Sequence, residues 1–227
     1  YAYNLSDKGL WINLYGGNTV ETKLESGEKL KLAQQSNYPW EGMVTLTMNE
    51  APKKEFSMFL RIPAWAKGST IKINGKSFEG AITEGTYVEI NRKWKKNDVI
   101  QLDMPMEAKF IEANPLVEEN RNQMAVKRGP VVYCAESVDM PSGKSVFNVD
   151  IPLSAKFNPE FVTIDNSKVM ALTANVNLLP ANNWDKKLYQ PINTEKPEQL
   201  KLRLIPYYAW GNRGHAKEMS VWLPYSR

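Results

Sequence analysis

Four kinds of side chain in this sequence could do chemistry. Cys134 is the single cysteine and offers a thiol. Its setting is Val131-Val132-Tyr133-Cys134-Ala135, an apolar run, and a lone Cys there reads as an inert core residue rather than a nucleophile. Acid pairs such as Glu118 with Glu119, or Asp98 with Asp103, could in principle serve a glycosidase, which needs two carboxyl groups about 5–5.5 Å apart for the retaining route. Neighbouring or strand-spaced acids read more simply as solvated faces. His215 is the single histidine. In a Gly-rich loop with no second His, it reads as a surface residue. The fourth group is aromatic. Tyr38 and Trp40 flank Pro39, and Tyr207, Tyr208 and Trp210 precede Asn212 and Arg213. Sugars present apolar C–H faces and polar rims, so aromatic rings beside Asn and Arg suit a glycan. Aromatics at sheet corners also bury large area and lock loops. Tyr38, Trp40, Trp210, Asn212 and Arg213 are therefore the candidates for carbohydrate contact or for a domain interface.

The elements that must position these residues are short strands. Phe56, Met58, Leu60 and Ile62 alternate with Ser57, Phe59 and Arg61, the period of a strand with one face in a core. Pro63 ends it. Ala64 to Gly68 makes a Trp-anchored corner, Thr70 to Ile73 alternates again, and Asn74-Gly75 is a strong hairpin signal. Similar runs occur at 9–15, 19–24, 29–32, 43–48, 87–90 and 99–103. The stretch 34–42 reads as a polar and aromatic loop. Further on, 123–126, 131–135, 168–178, 200–206 and 219–223 read as strands, and 180–197 as a polar loop. Turn signals recur every eight to twelve residues, which predicts an all-β chain of two antiparallel β-sandwich domains.

Composition agrees and excludes several functions. The chain has 227 residues, 42% of them hydrophobic, enough for two domains with real cores. The formal charge of +4 is small, and Lys and Arg are interleaved with Asp and Glu, so no nucleic-acid-binding stripe stands out. No apolar run is long enough to span a membrane. One cysteine allows no internal disulfide and argues against a cysteine-built zinc site, so neither metal ligand nor cofactor is expected in this chain. The sequence opens Tyr1-Ala2-Tyr3, without Met or signal peptide, and is expected to be a piece of a longer protein.

Several stretches together resemble the C-terminal region of glycoside hydrolase family 127, the β-L-arabinofuranosidase family. They are Leu10-Trp11-Ile12-Asn13-Leu14-Tyr15, Asn37-Tyr38-Pro39-Trp40, Leu60-Arg61-Ile62-Pro63-Ala64-Trp65 with Asn74-Gly75, Lys127-Arg128-Gly129-Pro130-Val131-Val132-Tyr133-Cys134, Ile205 through Gly214, and Met219-Ser220-Val221-Trp222-Leu223. Their order covers nearly the whole chain. The resemblance implies a helical-barrel catalytic domain preceding two β-sandwich units, of which this chain would be the two units. The first is expected over 1–107, completed by the last strand at 217–224, and the second over 108–216. It also implies zinc, a cysteine nucleophile and a glutamate acid/base in the missing barrel, and a paired-cysteine motif upstream. Cys134 does not match that motif, so no catalytic residue carries over. The expected role is a non-catalytic portion that covers the barrel, its own N-terminal partner. A glycan and a second copy of the chain are further candidate partners, while nucleic acid and membrane are not. A carbohydrate-binding module and a structural or dimerisation domain are the alternatives. By analogy the parent would work in the periplasm or outside the cell.

Overall fold

The computed structural model describes residues 1–182, 184–214 and 217–227. The chain divides into two compact units, Tyr1–Glu107 and Ala108–Arg227, and both are built of strands. No described helix is long and apolar enough to cross a membrane.

The first unit holds β1 (Tyr3–Ser6), β2 (Gly9–Ile12), β3 (Asn18–Lys23), β4 (Lys29–Ser36), β5 (Met43–Glu50), β6 (Phe56–Ile62), β7 (Thr70–Ile73), β8 (Lys76–Ser77), β9 (Thr86–Arg92) and β10 (Val99–Asp103). They form a four-stranded sheet, β1-β2-β6-β9, and a six-stranded sheet, β3-β4-β5-β10-β7-β8. The period-two pattern explains the core between them. Leu10, Ile12, Met58, Leu60 and Ile90 from one sheet meet Leu32, Val44, Leu46, Met48, Ile100 and Leu102 from the other.

Two features lie outside simple alternation. β2 and β6 pair in parallel, Gly9 with Ser57 through Ile12 with Leu60. The close approach needs Gly9: its φ is +138°, and a Cβ there would meet the Ser57 carbonyl oxygen at 2.0 Å. Phe59, on the mixed side of β6, is nevertheless buried. Trp11, its registered partner, stacks on it at 3.9 Å and 7°, and Tyr87 meets Trp11 edge-on at 4.9 Å.

The second unit holds β11 (Ala108–Glu112), β12 (Gln123–Arg128), β13 (Val131–Glu136), β14 (Val149–Pro152), β15 (Asn158–Ile164), β16 (Ser167–Leu178), β17 (Glu198–Pro206), β18 (Met219–Ser220) and β19 (Leu223–Ser226). Its sheet runs β11-β12-β19-β14-β16-β17-β13-β18, and β12 also pairs with β13. That extra pairing closes β12-β19-β14-β16-β17-β13 into a ring, so these six strands have no free edge along the paired stretches. Leu172 opposite Leu204, and Ala174 opposite Leu202, carry buried side chains to one face.

The expected return of 217–224 to the first unit is corrected here. β18 pairs with β13, and β19 pairs with β12 and, in parallel, with β14. The reason is ring closure: without β19, both β12 and β14 would leave a row of backbone donors and acceptors unpaired.

Candidate functional site

The aromatic loop of the first unit is a packed corner. The Tyr38 ring lies 6.4 Å from Tyr15, edge-on at 70°, and 6.4 Å from Trp65, at 26°. Its amide donates to Ser36 Oγ at 3.0 Å, and the Tyr38–Pro39 peptide is cis. Tyr38 and Trp65 both pack against the sandwich core. Burial pushes the Tyr38 phenol up, against the lowering effect of the Arg61 charge. Trp40 is half-buried, its amide donating to the Asn37 carbonyl at 2.8 Å. The structure thus brings Tyr38 together with the corner at Trp65.

The aromatic loop of the second unit opens with a 3-10 turn, Tyr207–Ala209. Tyr207, Tyr208 and Trp210 are exposed, Trp210 at 46%. Asn212 Nδ2 donates to the Ala209 carbonyl at 3.3 Å. Arg213 points the other way. Its Nε donates to Glu136 Oε2 at 2.9 Å and its Nη2 to the same oxygen at 2.6 Å, while Nη1 donates to Asp139 Oδ1 at 3.0 Å and Nη2 also reaches Asp139 Oδ2. The Glu136 side chain is 0% exposed, Asp139 8% and Arg213 15%. Burial lowers the Arg213 pKa, but hydrogen bonds to Asp139 and Glu136 outweigh it and raise the value. The backbone N–H of Gly211 adds a bond to Glu136 Oε1 at 3.1 Å. Arg203 extends the network, donating to Asp139 Oδ1 at 3.3 Å and Glu160 Oε1 at 3.0 Å. Arg213 therefore ties its loop to β13, with four of its donor contacts made inside the unit.

The acid candidates separate in the same way. Glu118 is exposed and pairs with Arg121 at 3.3 Å. Asp98 is buried rather than solvated, and it clasps turns. It accepts from Asn74 Nδ2 at 2.8 Å and from the Lys95 N–H at 2.9 Å, with Arg92 at 3.5 Å. Burial would raise its pKa, yet the bonds from Asn74 and Lys95 and the Arg92 charge hold it below the ordinary value. Asp103 is exposed, and pairs in register with Met43 and Thr70. Glu136 and Asp139 do converge, but on a guanidinium and out of solvent, so neither can reach a glycosidic bond.

Cys134 is fully buried, and its thiol is pushed up to about 12, first by burial and then by the nearby Glu136 charge. Such a thiol stays protonated and unreactive near neutral pH. The single cysteine is sealed, and among the described residues no three His, Cys, Asp or Glu side chains are grouped so as to hold a metal. His215 lies outside the described residues.

Two features were not foreseen in the sequence. One is the Trp11–Phe59–Tyr87 cluster, beside an open groove lined by Tyr1, Asn4, Trp11, Asn13 and Tyr87. An outward Trp at the mixed position of β2 was its only signal. The other is the carboxylate pair of Arg213, which lies 74 and 77 residues away along the chain and has no local signature.

Comparison with known proteins bears on this geometry. Residues 9–106 match the family model described as the β-L-arabinofuranosidase GH127 middle domain, and residues 108–224 match that of the glycoside hydrolase family 127 C-terminal domain. A non-reducing end β-L-arabinofuranosidase of Bifidobacterium longum subsp. longum is 32% identical over 230 residues, covering 91% of this chain and 33% of that protein. A solved structure described as a glycoside hydrolase superposes with a TM-score of 0.95 at 44% identity, covering 100% of this chain and 37% of that one. Ara127N-Se, a GH127 β-L-arabinofuranosidase from Geobacillus stearothermophilus T6, gives 0.87 at 35% identity, with 100% and 35% covered. The chain spans about a third of the length of these relatives.

Proposed function

The chain belongs to glycoside hydrolase family 127, and from that premise we propose that it supports a separate catalytic domain in a β-L-arabinofuranosidase-like protein. It is the non-catalytic portion of that protein, comprising the middle and C-terminal domains. The observation that carries this reading is the match of both units to those two domain models, over a third of the relatives' length. The chemistry of the chain supports it. Its thiol is sealed, its convergent carboxylates are neutralised by Arg213, and its aromatic corner at Tyr38 is occupied by its own packing.

On this reading the parent releases terminal β-L-arabinofuranose. Zinc, the nucleophile and the acid/base belong to its helical barrel, and this chain buries apolar surface of that barrel. The test is reconstitution with the parent's barrel, prepared with and without residues 1–227. Joined to this chain, the barrel is expected to hydrolyse an aryl β-L-arabinofuranoside and to melt later than the barrel alone. Equal activity and equal melting without the chain would remove the supporting role.

A further inference from the structure

A break in the strand pairing of the second unit leaves a polar groove. β15 pairs with β16 as far as Thr173, and β14 resumes the pairing at Asn177. Across 174–176 that edge of β16 has no strand partner. The connection 153–157 bends round the gap, the Ala155 N–H donating to the Pro152 carbonyl at 2.9 Å. The groove so formed measures ≈ 790 Å³, within the range of small-molecule sites, about 300–1,000 Å³.

Its lining has a one-sided chemistry. Lys156, Asn158, Thr173, Asn175, Gln199 and Lys201 face it, and its lining contains no acidic and no aromatic residue. Neither lysine has an ion-pair partner among the described residues. Thr173 is only 7% exposed, yet its hydroxyl makes no hydrogen bond among the described residues. The hydroxyl is not sealed; it opens onto the groove, where a ligand can take the place of water on it. Two ammonium groups without an ion-pair partner, in one lining with amide side chains, attract an anion. Asn158 Nδ2 also donates to the Lys156 carbonyl at 3.5 Å, and Gln199 Nε2 to Asn177 Oδ1 at 2.8 Å. The lack of a ring removes the stacking face that a neutral sugar would use.

We propose that this groove binds an acidic oligosaccharide, with uronate carboxylates at Lys156 and Lys201 and ring hydroxyls at Thr173, Asn158 and Asn175. The site is independent of the supporting role, and the loss of either leaves the other standing.

Calorimetric titration of the 227-residue chain with trigalacturonate at low salt tests it, with maltotriose as the neutral arm and acetate as the free-carboxylate arm. Trigalacturonate is expected to bind and maltotriose not. Lys156→Gln and Lys201→Gln are each expected to weaken binding about threefold to tenfold, and the isosteric Thr173→Val about threefold. Circular dichroism checks that each variant is folded. Three results overturn the proposal: no heat at millimolar trigalacturonate, equal binding of maltotriose, or unchanged affinity in the double lysine variant. Displacement by equimolar acetate reduces the groove to a simple anion site and overturns it as well.

Discussion

Arg213→Met should unlock the second unit. The guanidinium is 15% exposed and holds two carboxylates, of which Glu136 is 0% exposed. Removing one partner of a buried ion pair typically costs about 3–5 kcal/mol, because the other charge is left without compensation. Asp139 keeps Arg203 at 3.3 Å, so the lower end, about 3 kcal/mol, is expected. Native-state hydrogen exchange isolates the unit, since peptides from β13 and β17 report its opening separately from the first unit. At about 1.36 kcal/mol per decade, their slowest amides should exchange about 150-fold faster. The companion variant Glu136→Gln/Arg213→Met removes both charges and keeps an Oε1 acceptor for the Gly211 N–H. It should return to within about 1 kcal/mol of the parent, since replacing a whole buried pair is near neutral. A single variant that exchanges at the parent rate refutes the argument. So does a double variant no better than the single, because the loss would then be of packing and not of an uncompensated charge.

Three further outcomes follow from the first unit and from Cys134. Asp98→Asn should cost about 1–2 kcal/mol at neutral pH, by loss of charge-assisted bonds to Asn74 and Lys95. The folded pKa lies below the unfolded value of about 3.9, so the extra stability is complete above that value and is lost as pH falls through the folded pKa. Urea midpoints of parent and variant should therefore converge in acid; parallel curves would contradict the assignment. Cys134 should resist a thiol reagent in the native chain near neutral pH and react stoichiometrically in guanidinium, and rapid native labelling would contradict its burial. Gly9→Ala should destabilise the first unit by more than about 2 kcal/mol in a thermal or urea melt, since its Cβ would strike the Ser57 carbonyl; a near-neutral effect would contradict the parallel β2–β6 pairing.

Local pattern made much of the fold legible. The alternating run at Phe56–Ile62 is β6, Met43–Met48 lies within β5, and Asn74-Gly75 turns with both φ positive, 51° and 80°. These features depend on side-chain period and on backbone preference, which the sequence carries directly. Partnership is different. Nothing in Gly9–Ile12 announces a parallel neighbour, and nothing in Leu223–Ser226 names β12 and β14 as its partners. Pro159 breaks the strand pattern of Asn158–Ile164, which pairs with β16 outside the closed ring. The candidate site was legible as composition only. The aromatic loops were visible, but whether Arg213 faces a sugar or a carboxylate depends on Glu136, which lies 77 residues away.

The central claim, that catalysis lies outside these two units, is tested most directly by assaying the isolated chain on an aryl β-L-arabinofuranoside, with and without added zinc. The account predicts no release above the buffer rate in either case, with the same result for Cys134→Ala. Turnover that follows the purified chain, and above all turnover abolished in Cys134→Ala, would contradict it.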